Sequence, residues 1–262
     1  MTRHSEKIYA KPALRPLYWL ALLLLAVALY LLSFLPRRLS GRYYHFLGRY
    51  WCRLFIKALG IELERVYRNK KPLPEHYILI ANHPSVLEDF AIPALFDVYP
   101  LAKAGVRDWY VLGRMSDYAG TIFVKRGSKD SRKAALQAML QAVRAGKNLV
   151  VFPEGGCKGR RIYHEFKTGA FDVSLQSGVP VLPVFLQYLD EDVFEWTDQS
   201  MPRMLWQIFT ARDRRVIYHV FDAMLPEDFN ESEAFARHAH DCYLQWEQEE
   251  VDEKKDPPLP PG

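Results

Sequence analysis

Apolar positions fall into two textures along this chain. Over residues 17–35, LYWLALLLLAVALYLLSFL, 19 consecutive positions carry no charge, close to the ~20 a helix needs to cross a bilayer. A cleaved signal peptide has an apolar core of about 7–15 residues leading to a small-residue cleavage site. This run is longer and ends in Pro36-Arg37-Arg38, so a retained anchor is expected, with Tyr18, Trp19 and Tyr30 as interfacial aromatics. Arg3, Lys7, Lys11 and Arg15 precede the run, and the larger cluster of Arg37, Arg38, Arg42, Arg49, Arg53 and Lys57 follows it. That bias favours a main domain on the cytoplasmic side. Basic flanks on both sides also permit a helix that dips in and stays on one face. Over residues 43–59, His45, Arg49, Arg53 and Lys57 recur every four positions and form one stripe of a helix, with aromatic and aliphatic residues over much of the rest. A basic amphipathic helix of this kind suits a lipid interface; the alternative is an ordinary surface helix packed on the domain.

From about residue 61 short apolar runs alternate with helical stretches. Strands are expected at YILIA (77–81), GTIFVKR (120–126), NLVVFPEGG (148–156), VPVLPVFLQ (179–187) and RVIYHVFD (215–222). Helices are expected from Ser85, over 130–145, near 168–177 and over 231–248. The alternation predicts an α/β fold: a mixed, mainly parallel sheet with flanking helices, preceded by the membrane helix and the interfacial amphipathic helix. The expected organisation is an anchor and basic helix at 1–60, one domain at 61–248, and a disordered, charged, proline-rich tail at 249–262.

The chain has 262 residues, 49% hydrophobic and 14% aromatic, ample for a core. Its net charge of +4 fits contact with anionic headgroups or phosphorylated substrates and is too weak to argue for nucleic acid. Cys52, Cys157 and Cys242 are scattered without metal-ligand spacing, so no metal is expected and a reducing compartment is the default. There is no G-x-S-x-G elbow, no G-x-x-x-x-G-K-[ST] and no G-x-G-x-x-G, which argues against an ordinary α/β-hydrolase and against nucleotide-cradling loops. Cys157 has no base paired with it in the sequence and reads as a loop cysteine.

Active-site loops of such folds gather at strand C-terminal ends. Three loops leaving expected strands carry reactive groups: His83 to Asp89, Lys125 to Arg126, and Pro153 to Lys158. In this order the blocks resemble the 1-acylglycerol-3-phosphate acyltransferase family of membrane lysophospholipid acyltransferases. Asn82-His83 with an acid at 88 is similar to N-H-x4-D, and Gly120-Thr-Ile-Phe-Val-Lys-Arg126 to G-x-I-F-I-x-R. Phe152-Pro-Glu-Gly155 matches the first half of F-P-E-G-T-R, Phe166-Lys-Thr-Gly-Ala170 resembles F-K-x-G-A, and Val179-Pro-Val-Leu-Pro-Val184 resembles V-P-[IV]-x-P-V. The similarity covers roughly residues 75–190, and four such blocks in order with suitable gaps are specific where each alone is weak. Two departures stand out. Glu88 replaces Asp, as in the related lipid A acyltransferases, and Gly156-Cys157 replaces Thr-Arg. The missing arginine bears on the phosphate contact; Lys158, Arg160 and Arg161 are candidates to compensate.

The resemblance implies a membrane-bound enzyme that moves a fatty acyl chain from acyl-CoA or acyl carrier protein (acyl-ACP) to the free hydroxyl of a lysophospholipid. Lysophosphatidate, giving phosphatidate, is the expected acceptor, and lyso-ornithine lipid, lysophosphatidylethanolamine and lysophosphatidylglycerol stay open. Membrane lipids and the acyl carrier are the implied partners, the thioester is a co-substrate, and no further cofactor is called for. In a bacterium the site would be the inner membrane. Such a transfer needs a base for the acceptor hydroxyl, an acid to hold that base, and donors for the oxyanion. His83 suits the first role because its unperturbed pKa lies near neutrality, and a carboxylate on its other ring nitrogen suits the second, as in the serine protease relay. The substrate hydroxyl takes the serine's place, so no acyl-enzyme is required. Two acids compete for the second role. Ser85-x-x-Glu88 is also a capping box, which would leave Asp89 to His83; the family register favours Glu88. Arg126 supported by Lys125 would bind the acceptor phosphate, Glu154 and Gly155 would shape the acceptor pocket, and Lys158 and Lys167 are further phosphate contacts. The competing readings are a catalytically silent lipid-binding protein of the same fold and a thioesterase.

Overall fold

The computed structural model describes residues 5–125, 128–159, 161–195 and 200–255. In chain order the elements are β1 (Ser5–Ile8), α1 (Arg15–Leu32), α2 (Arg37–Leu59), β2 (Glu62–Tyr67), β3 (Ile78–Ala81), α3 (Glu88–Leu95), β4 (Tyr99–Lys103), α4 (Leu112–Ala119), β5 (Ile122–Val124), α5 (Lys129–Arg144), β6 (Leu149–Val151), α6 (Gly169–Ser177), β7 (Val181–Tyr188), α7 (Glu191–Phe194), α8 (Met201–Thr210), β8 (Arg215–Val220) and α9 (Ser232–Lys255). The strands form one sheet in the order β1-β2-β8-β7-β3-β6-β4-β5. The run β7-β3-β6-β4-β5 is parallel, as is β2 with β8, while β7–β8 and β1–β2 are antiparallel. The expected mixed, mainly parallel α/β sheet is therefore observed.

Alternation along the central strands splits the core in two. Leu79, Ala81, Leu182, Val184 and Leu186 face one layer with Leu54, Leu59, Ile92 and Met204 of α2, α3 and α8. Ile78, Ile80, Val181 and Phe185 face the other with Leu140, Phe171, Phe235 and Tyr243 of α5, α6 and α9. With both faces covered, β3 is buried at all of its residues, which is why it reads as a continuous apolar run.

The N-terminal segment is joined to this core more closely than a division at residue 60 implies. β1 pairs antiparallel with β2, Ser5 opposite Val66 through Ile8 opposite Leu63, and Leu22 and Leu54 share the main cluster. Pro12–Leu32 is the one helix among the described residues long and apolar enough to cross a membrane. Its outward face carries Leu17, Leu20, Leu23, Leu24 and Val27, all exposed. The basic stripe of α2 does not face the same way. Arg49 Nε and Arg53 Nε donate to the carbonyls of Pro93 and Ala94 at 3.2 and 2.7 Å, and His45 Nε2 lies 2.7 Å from Asp97 Oδ1. The two arginines satisfy C-terminal carbonyls of α3, which lack helical partners and sit at the negative end of its dipole. Among its described residues α2 also leaves three aromatic side chains exposed, Tyr43, Phe46 and Tyr50, beside the exposed Arg37 and Arg53. Gly60, at φ 71°, ends α2, and a side chain there would run into the Arg15 guanidinium, so the positive φ and the close approach both call for glycine. At the other end α9 runs to Lys255, past the expected limit of 248, and the rest of the expected tail lies outside the described residues.

Candidate active site

β7, β3 and β6 are neighbours, and their C-terminal ends release the site. Beyond Ala81 the pairing of β3 with β7 is continued by a side chain. Asn82 Nδ2 donates to Leu186 O at 3.1 Å and its Oδ1 accepts the Leu186 N–H at 2.8 Å. The next residue, His83, is thereby fixed at the sheet edge. It is 8% exposed, and its ring stacks on Phe152, which follows β6, at 3.8 Å between centroids and 10° between planes. The expected start of the helix at Ser85 shifts to Glu88, because Pro84 to Leu87 form a turn first.

That turn brings Glu88 back onto the histidine. His83 Nδ1 lies 2.9 Å from Glu88 Oε2, and the same oxygen accepts the Ser85 N–H at 3.0 Å. The other carboxylate oxygen accepts from the Tyr188 hydroxyl at the end of β7. Glu88 is fully buried, and three donors converge on it: the Ser85 amide, the Tyr188 hydroxyl and a His83 Nδ1–H. Only an acceptor on both oxygens satisfies that set, which favours the carboxylate. Burial pushes its pKa up, against the pull of His83 and Tyr188. The two readings of Glu88 thus hold together. It closes the Ser85 turn and orients His83 through one oxygen. Asp89, the alternative partner, lies on the exposed side of α3 and borders an apolar cavity of about 150 Å³ between α2, α3 and α4, with Trp51, Phe90 and Met115 on its wall. It reaches His83 only as a nearby charge.

The third loop completes the arrangement. Cys157 Sγ lies 3.4 Å from His83 Nε2, so Sγ, the imidazole and the Glu88 carboxylate stand in line. The expectation that no base accompanies this thiol is corrected by the fold. Burial disfavours the imidazolium; Cys157 at Nε2 and Glu88 at Nδ1 outweigh it, the Asp89 charge adds, and the His83 pKa lies well above the ordinary value. Burial also pushes the Cys157 thiol up, with His83 pulling the other way. The titration belongs to the pair, and its first proton is lost above the pH at which a free histidine would lose it.

Glu154 departs from the expected pocket-lining role. It is 1% exposed and turned inward, accepting the His83 N–H at 2.9 Å and the Tyr163 N–H at 3.3 Å. It therefore ties the β6 loop to the backbone of His83, and burial raises its pKa to about 7. Gly155, at φ 80°, lets the Lys167 side chain pass; an added Cβ would sit 2.6 Å from Lys167 Cε. Lys167 and Lys158 are exposed, the latter with its ammonium 5.0 Å from the centre of the Tyr163 ring. Arg161 approaches Glu247 at 3.8 Å. Lys125 is exposed just after β5, and β5 lies three strand spacings from β3 in the sheet, roughly 14 Å at ~4.8 Å per strand. Arg126 and Arg160 lie outside the described residues. Among the described residues no group of three or more His, Cys, Asp or Glu side chains is placed to hold a metal. Sequence reasoning does not find Tyr188, and it finds Phe152 only as a position of the F-P-E-G block; the available signal is that each lies at the end of a strand flanking the histidine's.

The central strands of a mixed, mainly parallel α/β sheet thus end in a His–Glu pair, an F-P-E-G turn and a clamping asparagine. The sequence model described as Acyltransferase matches residues 64–187, so this stretch of the chain is similar to that family. Among individual proteins, the chain is 32% identical over 165 residues to the 1-acyl-sn-glycerol-3-phosphate acyltransferase of Neisseria gonorrhoeae, covering 60% of this chain and 63% of that one. It is 33% identical over 148 residues to the lyso-ornithine lipid O-acyltransferase of Pseudomonas aeruginosa, covering 56% and 55%. The chain thus spans less than two thirds of the length of these relatives. The crystal structure of the 1-acyl-sn-glycerophosphate (LPA) acyltransferase PlsC from Thermotoga maritima has the same fold, with a TM-score of 0.59 over 88% of this chain and 97% of that chain, at 18% identity.

Proposed function

We propose that this protein is a membrane-bound O-acyltransferase that moves a fatty acyl chain from an acyl thioester, acyl-CoA or acyl-ACP, to the free hydroxyl of a lysophospholipid. The observation that carries this reading is the buried Glu88–His83 pair, with Nδ1 held at 2.9 Å and Nε2 turned toward the β6 loop. Neutral His83 takes the proton of the acceptor hydroxyl at Nε2 as the oxygen attacks the thioester carbonyl. Glu88 holds the tautomer with the proton on Nδ1 and stabilises the imidazolium that forms. His83 then returns the proton to the departing thiolate. The Asn82, Glu154 and Phe152 contacts hold the ring in place, and fixed geometry lowers the entropic cost of the encounter. Residues 12–32 carry the domain to the bilayer in which both acyl chains reside. The acceptor class follows from the names of the relatives, which are 1-acylglycerol-3-phosphate and lyso-ornithine lipid acyltransferases.

The test is transfer of labelled acyl groups by the full-length protein in vesicles. Thioester donors are offered in turn with lysophosphatidate, lyso-ornithine lipid, lysophosphatidylethanolamine and lysophosphatidylglycerol. Product with at least one acceptor, lost in His83→Ala, is expected. No product with any of them would favour the silent lipid-binding reading, and free fatty acid released without acceptor dependence would favour a thioesterase.

A further inference from the structure

The sulfur at His83 Nε2 occupies the place where the acceptor hydroxyl is expected to give up its proton. Direct transfer requires that position to be open to the acceptor. Here it holds a group that is itself a stronger nucleophile than any hydroxyl once its proton is removed. Three side chains build this arrangement. Cys157 Sγ is 3.4 Å from Nε2, His83 Nδ1 is 2.9 Å from Glu88, and Glu88 is fixed in turn by Ser85 and Tyr188. Nucleophile, base and orienting acid in hydrogen-bonded sequence is the signature of nucleophilic acyl transfer. Cys157 is also reachable: it is half-buried and sits in the glycine-flanked loop 155–159.

Resting on the acyltransferase reading above, we infer that Cys157 is a catalytic nucleophile and that the acyl chain passes through a Cys157 thioester before it reaches the lysophospholipid. In the first half, His83 Nε2 takes the Sγ proton and the thiolate attacks the donor carbonyl. The tetrahedral intermediate collapses, the donor thiolate leaves, and His83 returns the proton to it. One thioester is broken and one formed, so no energy source is consumed. In the second half, the acceptor hydroxyl gives its proton to the same Nε2 and its oxygen attacks the Cys157 thioester. The Cys157 thiolate leaves and recovers the proton, and an oxygen ester has replaced the thioester. Departure of the donor before acceptor attack also opens the position at Nε2, since acylated sulfur no longer carries the hydrogen that occupies it.

The experiment mixes the full-length protein in vesicles with a long-chain acyl-CoA without acceptor, quenches in acid, and maps cysteine peptides by mass spectrometry. The expected result is one acyl group on the Cys157 peptide, released by neutral hydroxylamine and chased off by lysophospholipid at least as fast as turnover. Cys157→Ala should lack the adduct and fall to the turnover of His83→Ala, with its melting temperature retained. Cys157→Ser should accumulate an acyl group that hydroxylamine at neutral pH leaves in place. An unacylated Cys157 peptide in the wild type overturns the inference without recourse to any variant, and so does turnover by Cys157→Ala within a few-fold of wild type. Either result leaves acyl transfer itself standing, now by direct attack. Absence of transfer by the wild type to every acceptor instead removes the function on which the inference rests.

Discussion

Glu88→Gln isolates the charge of the relay from its shape. The carboxylate meets three donors: Ser85 N–H and His83 Nδ1 at Oε2, Tyr188 O–H at Oε1. An amide can keep this network in one orientation, with its oxygen at the Oε2 position and its NH₂ toward Tyr188. A phenol oxygen can accept as well as donate, so the tyrosine turns its proton away and the contact survives. His83 then keeps the useful tautomer. In a serine protease relay an amide in place of the acid costs ~10⁴ in rate because the tautomer is wrong, and that penalty is avoided here. What is lost is the charge facing the imidazolium. A hydrogen bond to a charged group contributes ~1.5–3 kcal/mol, which is about 10- to 150-fold in rate at ~1.4 kcal/mol per decade. The acid limb should move as well. Glu88 favours the charged imidazole, so its neutral replacement lowers the His83 pKa, and the base is free of its proton at lower pH. The assay is kcat/KM for labelled acyl transfer against pH, with a melting curve of each protein. A variant with the wild-type rate and an unmoved acid limb refutes the relay. A slower variant whose limb stays in place refutes the electrostatic account of it.

Tyr188→Phe removes the donor on Glu88 Oε1 in a fully buried site; a loss of ~1.5–3 kcal/mol in urea unfolding is expected, and an unchanged midpoint would mean that bond contributes nothing. Glu154 keeps its proton to about pH 7 in the folded chain against 4.5 when free; its favourable contribution is therefore full below pH 4.5 and lost as pH rises to about 7, a fall of about 3 kcal/mol. In Glu154→Gln, which cannot ionise, that fall should vanish from the stability–pH curve, and an unaltered slope would locate the titration elsewhere. Leu20→Lys combined with Leu24→Lys places charge on the outward face of α1, where the side chains are 53% and 62% exposed. Each lysine costs ~2.5–3.5 kcal/mol near a bilayer centre, so the pair should stay folded and separate from vesicles on flotation. A drop in melting temperature with vesicle binding intact would mean the face packs on protein.

The central strands were legible because burial on both faces leaves its mark in the sequence. ILIA and VLPVFLQY are apolar almost throughout, and both appeared within two residues of their observed ends. β1, SEKI, and β2, ELERVY, escaped notice because one polar face toward solvent erases the apolar run, and β1 finds its partner some sixty residues downstream. β4 was hidden by Pro100 within YPLAK. The stripe of α2 was legible as a stripe, but periodicity alone does not name its neighbour. Carbonyls of α3 that lack helical donors take up Arg49 and Arg53, and the sequence carries no trace of that unmet demand.

The same distinction divides the site. His83 and Glu88 are five residues apart, so a single turn settles their encounter, and local pattern was enough to find both. For Glu88, capping Ser85 and meeting His83 are not alternatives. An ionised carboxylate offers about four lone-pair directions, and the oxygen that closes the Ser85 turn is the one that meets the imidazole. The bond to Ser85 therefore sets the position from which Glu88 meets His83. Cys157 is 74 residues from His83, beyond reach of any local rule. The pairing of β3 with β6 in register, Ile78 opposite Leu149 through Ile80 opposite Val151, brings their following loops side by side. The Glu154 bond to the His83 amide then fixes the second loop against the first. Once those two constraints are imposed, a thiol three residues past Glu154 arrives at the free nitrogen of the histidine. Its placement beside His83 is thus a consequence of sheet register, which the sequence encodes only through the fold.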